Sequence, residues 1–159
     1  MTAIKMILHP TDFSDSAGYA FRLACSLARD LGARLILLHV NPPGFRPNKL
    51  TVEEYQRRLW DDLGRLMDED PRLREMYYKT GLTEGDPVEE ILRVAKEREC
   101  DLIVMGTHGR TGLSRLLMGS VAEAVLRKGP CPVLVVKSPA PLPAGKADAD
   151  EELEEVLPA

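Results

Sequence analysis

The sequence predicts an α/β fold: an open, five-stranded parallel sheet with helices on both faces. Three observations carry that prediction. Apolar periodicity switches back and forth between strand-like runs and helix-like spacing, the signature of βαβ units. The run Leu102-Ile103-Val104-Met105 is apolar throughout, as in strands buried on both sides. Cap residues open the helical stretches, and glycines close two of them.

The elements follow in order. A first strand is expected at residues 4–8, then a helix on which Ala17, Ala20, Ala24, Leu27, Ala28 and Leu31 recur at helical spacing, with Ser14 or Asp15 as cap and Gly32 as stop. Residues 34–40 form the second strand, and 41–48 a proline-rich loop. Thr51 and Glu54 have capping-box spacing ahead of a helix presenting Val52, Tyr55, Leu59, Leu63 and Leu66 on one face. Residues 76–82, where Tyr77, Tyr78 and Thr80 favour β structure, make the third strand. Gly85-Asp86-Pro87 then opens a helix, with Asp86 as cap, Pro87 at the first helical position and Glu89 completing the box, while Val88, Ile91, Leu92 and Ala95 face inward. The fourth strand is residues 102–105. A last helix runs from Ser120, read as its cap through the Glu123 spacing, to about Lys128 before Gly129-Pro130, and residues 133–136 make the fifth strand.

With 159 residues the chain suits one domain, which at this size buries roughly 70% of its unfolded surface. The domain is expected over residues 1–137, followed by an acidic, disordered tail at 138–159. That tail holds six acids against Lys146, so the formal charge of −4 belongs to it, and the body is close to neutral. No basic stripe suits a nucleic-acid backbone, so nucleic acid is not an expected partner. Cys25, Cys100 and Cys131 are widely spaced and odd in number, with no clustered histidines, which suggests neither a disulfide frame nor a zinc site. No apolar run is long enough for a signal peptide or a membrane span, and a cytoplasmic location is expected.

Two polar clusters fall at the carboxyl ends of strands, where open α/β sheets bind ligands. Pro10-Thr11-Asp12 follows the first strand. Gly106-Thr107-His108-Gly109, with Gly119-Ser120 beyond a nine-residue spacer, joins the fourth strand to the last helix. Glycine there lets a ligand approach main-chain N–H groups, and a helix N-terminus favours an anion. The clusters share a site only if the first and fourth strands are neighbours, which favours strand order 3-2-1-4-5 over 2-1-3-4-5. Asp12 could then accept from ribose hydroxyls, the glycine loop hold phosphates, and Val40 offer main-chain groups and an apolar wall to a base. A Walker A motif is excluded because Ser120, not lysine, follows Gly119, and no G-x-G-x-x-G follows the first strand.

Pro10-Thr11-Asp12, His39-Val40, Gly85-Asp86-Pro87 and Gly106-x-x-Gly109-x9-Gly119-Ser120, in that order, resemble the universal stress protein family over about residues 4–137. The resemblance implies a Rossmann-like, adenine nucleotide alpha hydrolase-like fold and homodimers. It also implies a branch that binds ATP, or AMP or ADP, through this glycine motif with a divalent cation, Mg or Mn. By the same resemblance Asp12 contacts the ribose, Val40 the adenine through its backbone, Gly106 the ribose region, and Gly109, Gly119 and Ser120 the phosphates. With their neighbours the candidate binding residues are Pro10, Thr11, Asp12, Val40, Gly106, His108, Gly109, Arg110, Gly119, Ser120 and Val121.

No catalytic residue or metal ligand is assigned. His108 reads as a polar loop residue, since no second acid or base stands beside it in sequence. Arg110 and Arg115 lie where they could reach phosphates, and His9 and His39 read as structural residues at strand ends. The apolar fifth strand, at the sheet edge in this order, is expected to pair antiparallel with a second copy through Val133–Val136. The expected function is a dimeric regulatory module that senses or sequesters adenine nucleotide and has a protein partner. A slow divalent-metal-dependent ATP hydrolase is the alternative, and a structural partner-binding protein with a vestigial pocket the third.

Overall fold

The computed structural model describes residues 3–44, 51–69, 77–107 and 118–139. Along them run β1 (Met6–Pro10), α1 (Asp15–Leu31), β2 (Arg34–Asn41), α2 (Val52–Glu69), β3 (Tyr77–Glu84), α3 (Pro87–Glu97), β4 (Leu102–Gly106), α4 (Ser120–Lys128) and β5 (Val133–Val136). The strands form one sheet in the order β3-β2-β1-β4-β5, parallel at every pairing. The expected strand order is therefore the observed one, and strand order reverses between β1 and β4.

Alternation of side chains across the sheet builds two cores. Ile7, Leu35, Leu37 and Val104 pack with Ala20, Phe21, Ala24 and Ala28 of α1 on one face. Leu8, Ile36, Leu38 and Ile103 pack with Ile91 and Ala95 of α3 and Ala122 and Val125 of α4 on the other. Both faces of the central strands are covered, which is why those strands are apolar without interruption.

Most helix ends obey their local chemistry. Ser14 is the N-cap of α1, its hydroxyl accepting from Ala17 N–H at 3.2 Å, and Gly32 closes the helix at φ 63°, a left-handed conformation that glycine adopts without strain. The box ahead of α2 is reciprocal: Thr51 N–H donates to Glu54 Oε2 (2.7 Å) and Glu54 N–H to Thr51 Oγ1 (3.1 Å). Those bonds hold the Glu54 carboxyl below its ordinary pKa, the Thr51 backbone bond contributing most. At α3, Asp86 accepts from Glu89 N–H (2.9 Å) and Pro87 occupies the first turn. On the outer side of α3, Arg93 bridges Glu90 (2.7 Å) and Glu97 (2.8 Å). Of the apolar face expected on α2, Tyr55 is described, while the side chains of Val52, Leu59, Leu63 and Leu66 lie outside the described residues. The same helix carries the chain's one tryptophan, Trp60, 54% exposed.

Two expectations need correction. Strand ends shift: β1 occupies Met6–Pro10 rather than residues 4–8, and β2, β3 and β4 each run one or two residues further than read from sequence. Pro10 is tolerated in β1 because the next ladder donor is Thr11 N–H, which reaches Leu38 O at 2.8 Å. Ser120 is not the cap of α4 either. Gly119 holds that position at φ −61° and ψ 152° with no side-chain cap bond, leaving Ser120 as the first helical residue.

Cys25 is a core residue, as expected. Cys100 and Cys131 sit where β4 and β5 begin, and burial, then the nearby Cys131, push the Cys100 thiol up to about 12. Among the described residues no helix is long and apolar enough to cross a membrane.

Candidate functional site

Strand pairing itself makes the opening. The β1–β2 ladder continues to Pro10↔Leu38, whereas β1 and β4 stay in register only through Leu8↔Ile103. Beyond that point the His9 side chain takes over, its Nδ1–H donating to the Val104 carbonyl at 2.8 Å. The ring is fully buried, 5.4 Å from Phe21, and its Nε2 has no partner among the described residues. Burial pulls the His9 pKa down to about 4, against the opposing influence of the Val104 bond and the Asp12 charge.

Above this split lies a cleft of about 340 Å³, bounded by the carboxyl ends of β1, β2 and β4 and by the first turns of α3 and α4. Of the residues singled out from sequence, Pro10, Thr11, Asp12, Val40, Gly106, Gly119, Ser120 and Val121 all line it. His108, Gly109, Arg110 and Arg115 lie outside the described residues.

The wall after β1 is a turn held by side chains. Thr11 Oγ1 accepts from Phe13 N–H (3.1 Å), and Asp12 Oδ1 accepts from Ser14 N–H (2.9 Å). Asp12 is thus not the cap of α1, a role Ser14 fills. Phe13 between them has φ 62°, a left-handed conformation costing a non-glycine residue on the order of 1–2 kcal/mol. Its ring packs 4.7 Å from that of His39. His39 in turn donates from Nδ1 to the Thr11 carbonyl (2.7 Å), while Asn41 Oδ1 and the Tyr55 hydroxyl each lie 3.0 Å from Nε2.

The wall after β4 is held by backbone. Thr107 N–H reaches Val136 O (3.1 Å), and Gly119 N–H reaches Thr107 O (2.6 Å), closing the base of the intervening loop. That second bond commits the Gly119 amide, so donors for an anion come from the next turn. The first bond within α4 runs from Glu123 N–H to Gly119 O, which leaves the Ser120, Val121 and Ala122 N–H groups without intrahelical acceptors. Gly106 answers to a different constraint from the one its motif suggests. A Cβ there would lie 2.5 Å from Ser16 Oγ and 3.0 Å from Ser16 backbone atoms, so the residue lets the start of α1 sit against β4.

Between these walls the floor is apolar: Leu38, Val40, Met105, Pro87 and Ile91. Because Leu38 O is the last β2 acceptor used by β1, the next main-chain groups on that edge, those of Val40, face the cleft. Sequence reading missed Leu38, Asn41, Pro87, Thr107 and Ala122, and assigned His39 only a structural role. Ala122 was recoverable, since a helix start exposes three amides and not only the first. Among the described residues no group of three or more His, Cys, Asp or Glu side chains could hold a metal ion by itself.

Comparison with known proteins places relatives around this geometry. The profile of the universal stress protein family matches residues 3–137. Universal stress protein MJ0531 of Methanocaldococcus jannaschii is 36% identical over 141 residues, 85% of this chain and 83% of that protein. Universal stress protein MJ0577 of the same organism is 33% identical over 153 residues, 84% of this chain and 94% of its own. The solved structure of MJ0577 superposes with a TM-score of 0.65, covering 88% of this chain and all of that one. A universal stress protein from Archaeoglobus fulgidus in complex with dAMP shares the fold at 24% identity, with a TM-score of 0.57 over 86% of this chain and all of that one.

Proposed function

We propose, for a chain that belongs to the universal stress protein family, that the cleft holds an adenine nucleotide and that the protein works as a nucleotide-dependent regulatory module. One observation carries the reading: at the reversal of strand order, a carboxylate on one wall faces a helix start whose first three amides have no acceptor within the helix, across an apolar floor. A nucleotide has the matching parts in the matching sequence, namely hydroxyls for Asp12, phosphates for Ser120, Val121 and Ala122, and a flat base against Val40 and Pro87. Gly109, His108 and Arg110 would complete the phosphate side. A divalent cation would be held by the phosphates and the Ser120 hydroxyl.

Holding is favoured over cutting. Among the described residues no pair of side chains in the cleft is arranged as base and nucleophile, and amides that position a phosphate do not activate water. His9, the histidine under the strand split, is fully buried and already bonded to Val104.

In the same reading β5 pairs antiparallel with its counterpart in a second copy. It is an edge strand, with Leu134 39% exposed on it and Leu126 47% exposed on α4. Sedimentation as a monomer at micromolar concentration would remove the dimer from the proposal.

The nucleotide is tested by heat-denaturing the purified protein and chromatographing the supernatant, with calorimetric titration of ATP and magnesium alongside. Adenine nucleotide in the supernatant, or a saturable binding heat that Gly119→Leu abolishes, is the expected result. An empty protein without a binding heat contradicts the proposal. Phosphate release over hours that exceeds that of Gly119→Leu would revive the hydrolase reading.

A further inference from the structure

The nucleotide reading uses Asp12 but leaves unexplained why its turn adopts the shape it has. Three of the turn's four residues depart from routine. Phe13 is held at φ 62°, Thr11 and Asp12 both turn their side chains back onto the local backbone, and the Thr11 carbonyl, past the end of the ladder, finds its donor in a side chain. That donor is His39. A carbonyl oxygen can only accept, so Nδ1 is the protonated nitrogen and the ring is fixed in one tautomer at that atom. The other nitrogen is then an acceptor: the Tyr55 hydroxyl of α2 donates to it at 3.0 Å, and Asn41 Oδ1 of the same strand lies 3.0 Å away. Phe13 packs against the ring in a tilted arrangement, centroid to centroid at 4.7 Å, and Tyr55 meets it in an edge arrangement at 6.1 Å. The imidazole, 5% exposed, is therefore clamped on every side by groups from β2, α2 and the turn itself.

We infer that His39 is a positioning residue: through the Thr11 carbonyl and the Phe13 ring it holds the turn in the one conformation that aims the Asp12 carboxylate at a sugar hydroxyl, and it ties that turn to α2 through Tyr55. The inference rests on the nucleotide reading of the cleft and extends it to the control of sugar recognition. A left-handed residue relaxes when its turn loses the hydrogen bond that holds it, here the one from His39 Nδ1 to the Thr11 carbonyl, and relaxation about Phe13 swings the residue beside it. Asp12 is that residue. His39 thus acts on the ligand only through another side chain, and deleting its nitrogens should affect the contact with sugar hydroxyls while sparing the contacts with phosphate and base.

The experiment compares ATP with 2′,3′-dideoxy-ATP by calorimetry in the full chain. Loss of hydroxyls that donate to a carboxylate should weaken wild-type binding about tenfold or more. His39→Phe keeps the ring and its packing but removes both nitrogens; it should bind the two nucleotides with nearly equal affinity, its affinity for the dideoxy ligand staying within about twofold of wild type. His39→Asn, whose amide nitrogen can occupy the place of Nδ1, should regain most of the preference. Tyr55→Phe, which removes one clamp at the surface of α2, should lower the preference about two- to threefold, and it tests the link even where His39→Phe does not fold. A His39→Phe protein that discriminates as wild type does overturns the inference and leaves nucleotide binding standing. Equal loss of both ligands, unrescued by His39→Asn, shows a structural role alone and also overturns it. Wild-type protein that binds neither ligand removes the nucleotide reading, and the inference with it.

Discussion

The two walls of the cleft are built by opposite means. The turn after β1 is fastened by side chains: Thr11, Asp12, Ser14 and His39 each give or take a hydrogen bond within five residues' reach of Asp12 or across from β2. The exit from β4 is fastened by main chain, Thr107 to Val136 and Gly119 to Thr107, and α4 begins without a side-chain cap. The contrast fits the roles proposed for the two walls. A carboxylate must be aimed before it can accept from a hydroxyl, and a stiffened turn would serve that role. An anion site works through amides, which must be left uncommitted, so a capping side chain on α4 would compete with the ligand.

The largest expected effect breaks the β4 wall through packing. Gly106→Val would force its side chain into Ser16 and should destabilise the fold by about 3 kcal/mol, read as a lowered urea midpoint, with nucleotide binding lost. A Gly106→Val protein as stable as wild type would show that α1 can move away from β4.

Comparable in size is the effect of acid beneath the split. The unfolded chain takes up a proton on His9 near 6.5 and the folded chain only near about 4, so in that window the unfolded state binds more protons. Stability is complete above pH 6.5 and should fall by about 3 kcal/mol as the pH drops to 4. His9→Asn retains a donor for Val104 without an ionisable ring, and its urea-derived stability should vary less steeply over the same range. An equal slope in both proteins would assign the acid sensitivity elsewhere.

The smallest effects sharpen the contrast most. Ser14 and Ser120 both stand at helix starts, but only Ser14 is a cap. Ser14→Ala should cost about 1 kcal/mol of stability. Ser120→Ala should change stability by less than about 0.5 kcal/mol while weakening ATP binding about fivefold. Reversal of the two stability effects would mean that the α4 wall is capped after all.

Much of this was legible in the chain, and the illegible remainder has a pattern. Strand order followed from requiring two polar clusters to meet, and helix starts at Thr51 and Asp86 followed from local spacing, because a cap and its target amide are three residues apart in any fold. Ser120 misled for the same reason: its spacing to Glu123 fits a box, but Gly119 N–H is drawn to Thr107 and the helix starts one residue earlier than that box requires. Gly106 was placed in the site for its loop character, whereas its missing Cβ answers to a helix nearly a hundred residues earlier. The His39 clamp had no local signal at all. Its partners come from the turn before α1, from β2 and from α2, and only the folded sheet assembles them.

The position of Trp60 has an optical consequence. It is the chain's one indole, half in water, on the helix whose Tyr55 grips His39, five residues along. Its emission is therefore an unlabelled gauge of α2, free of overlapping signals from other tryptophans. A nucleotide that tightens the turn after β1 should register there as a change in intensity, and a protein docking over α2 as a blue shift, so occupancy and association can be followed in one cuvette by one side chain.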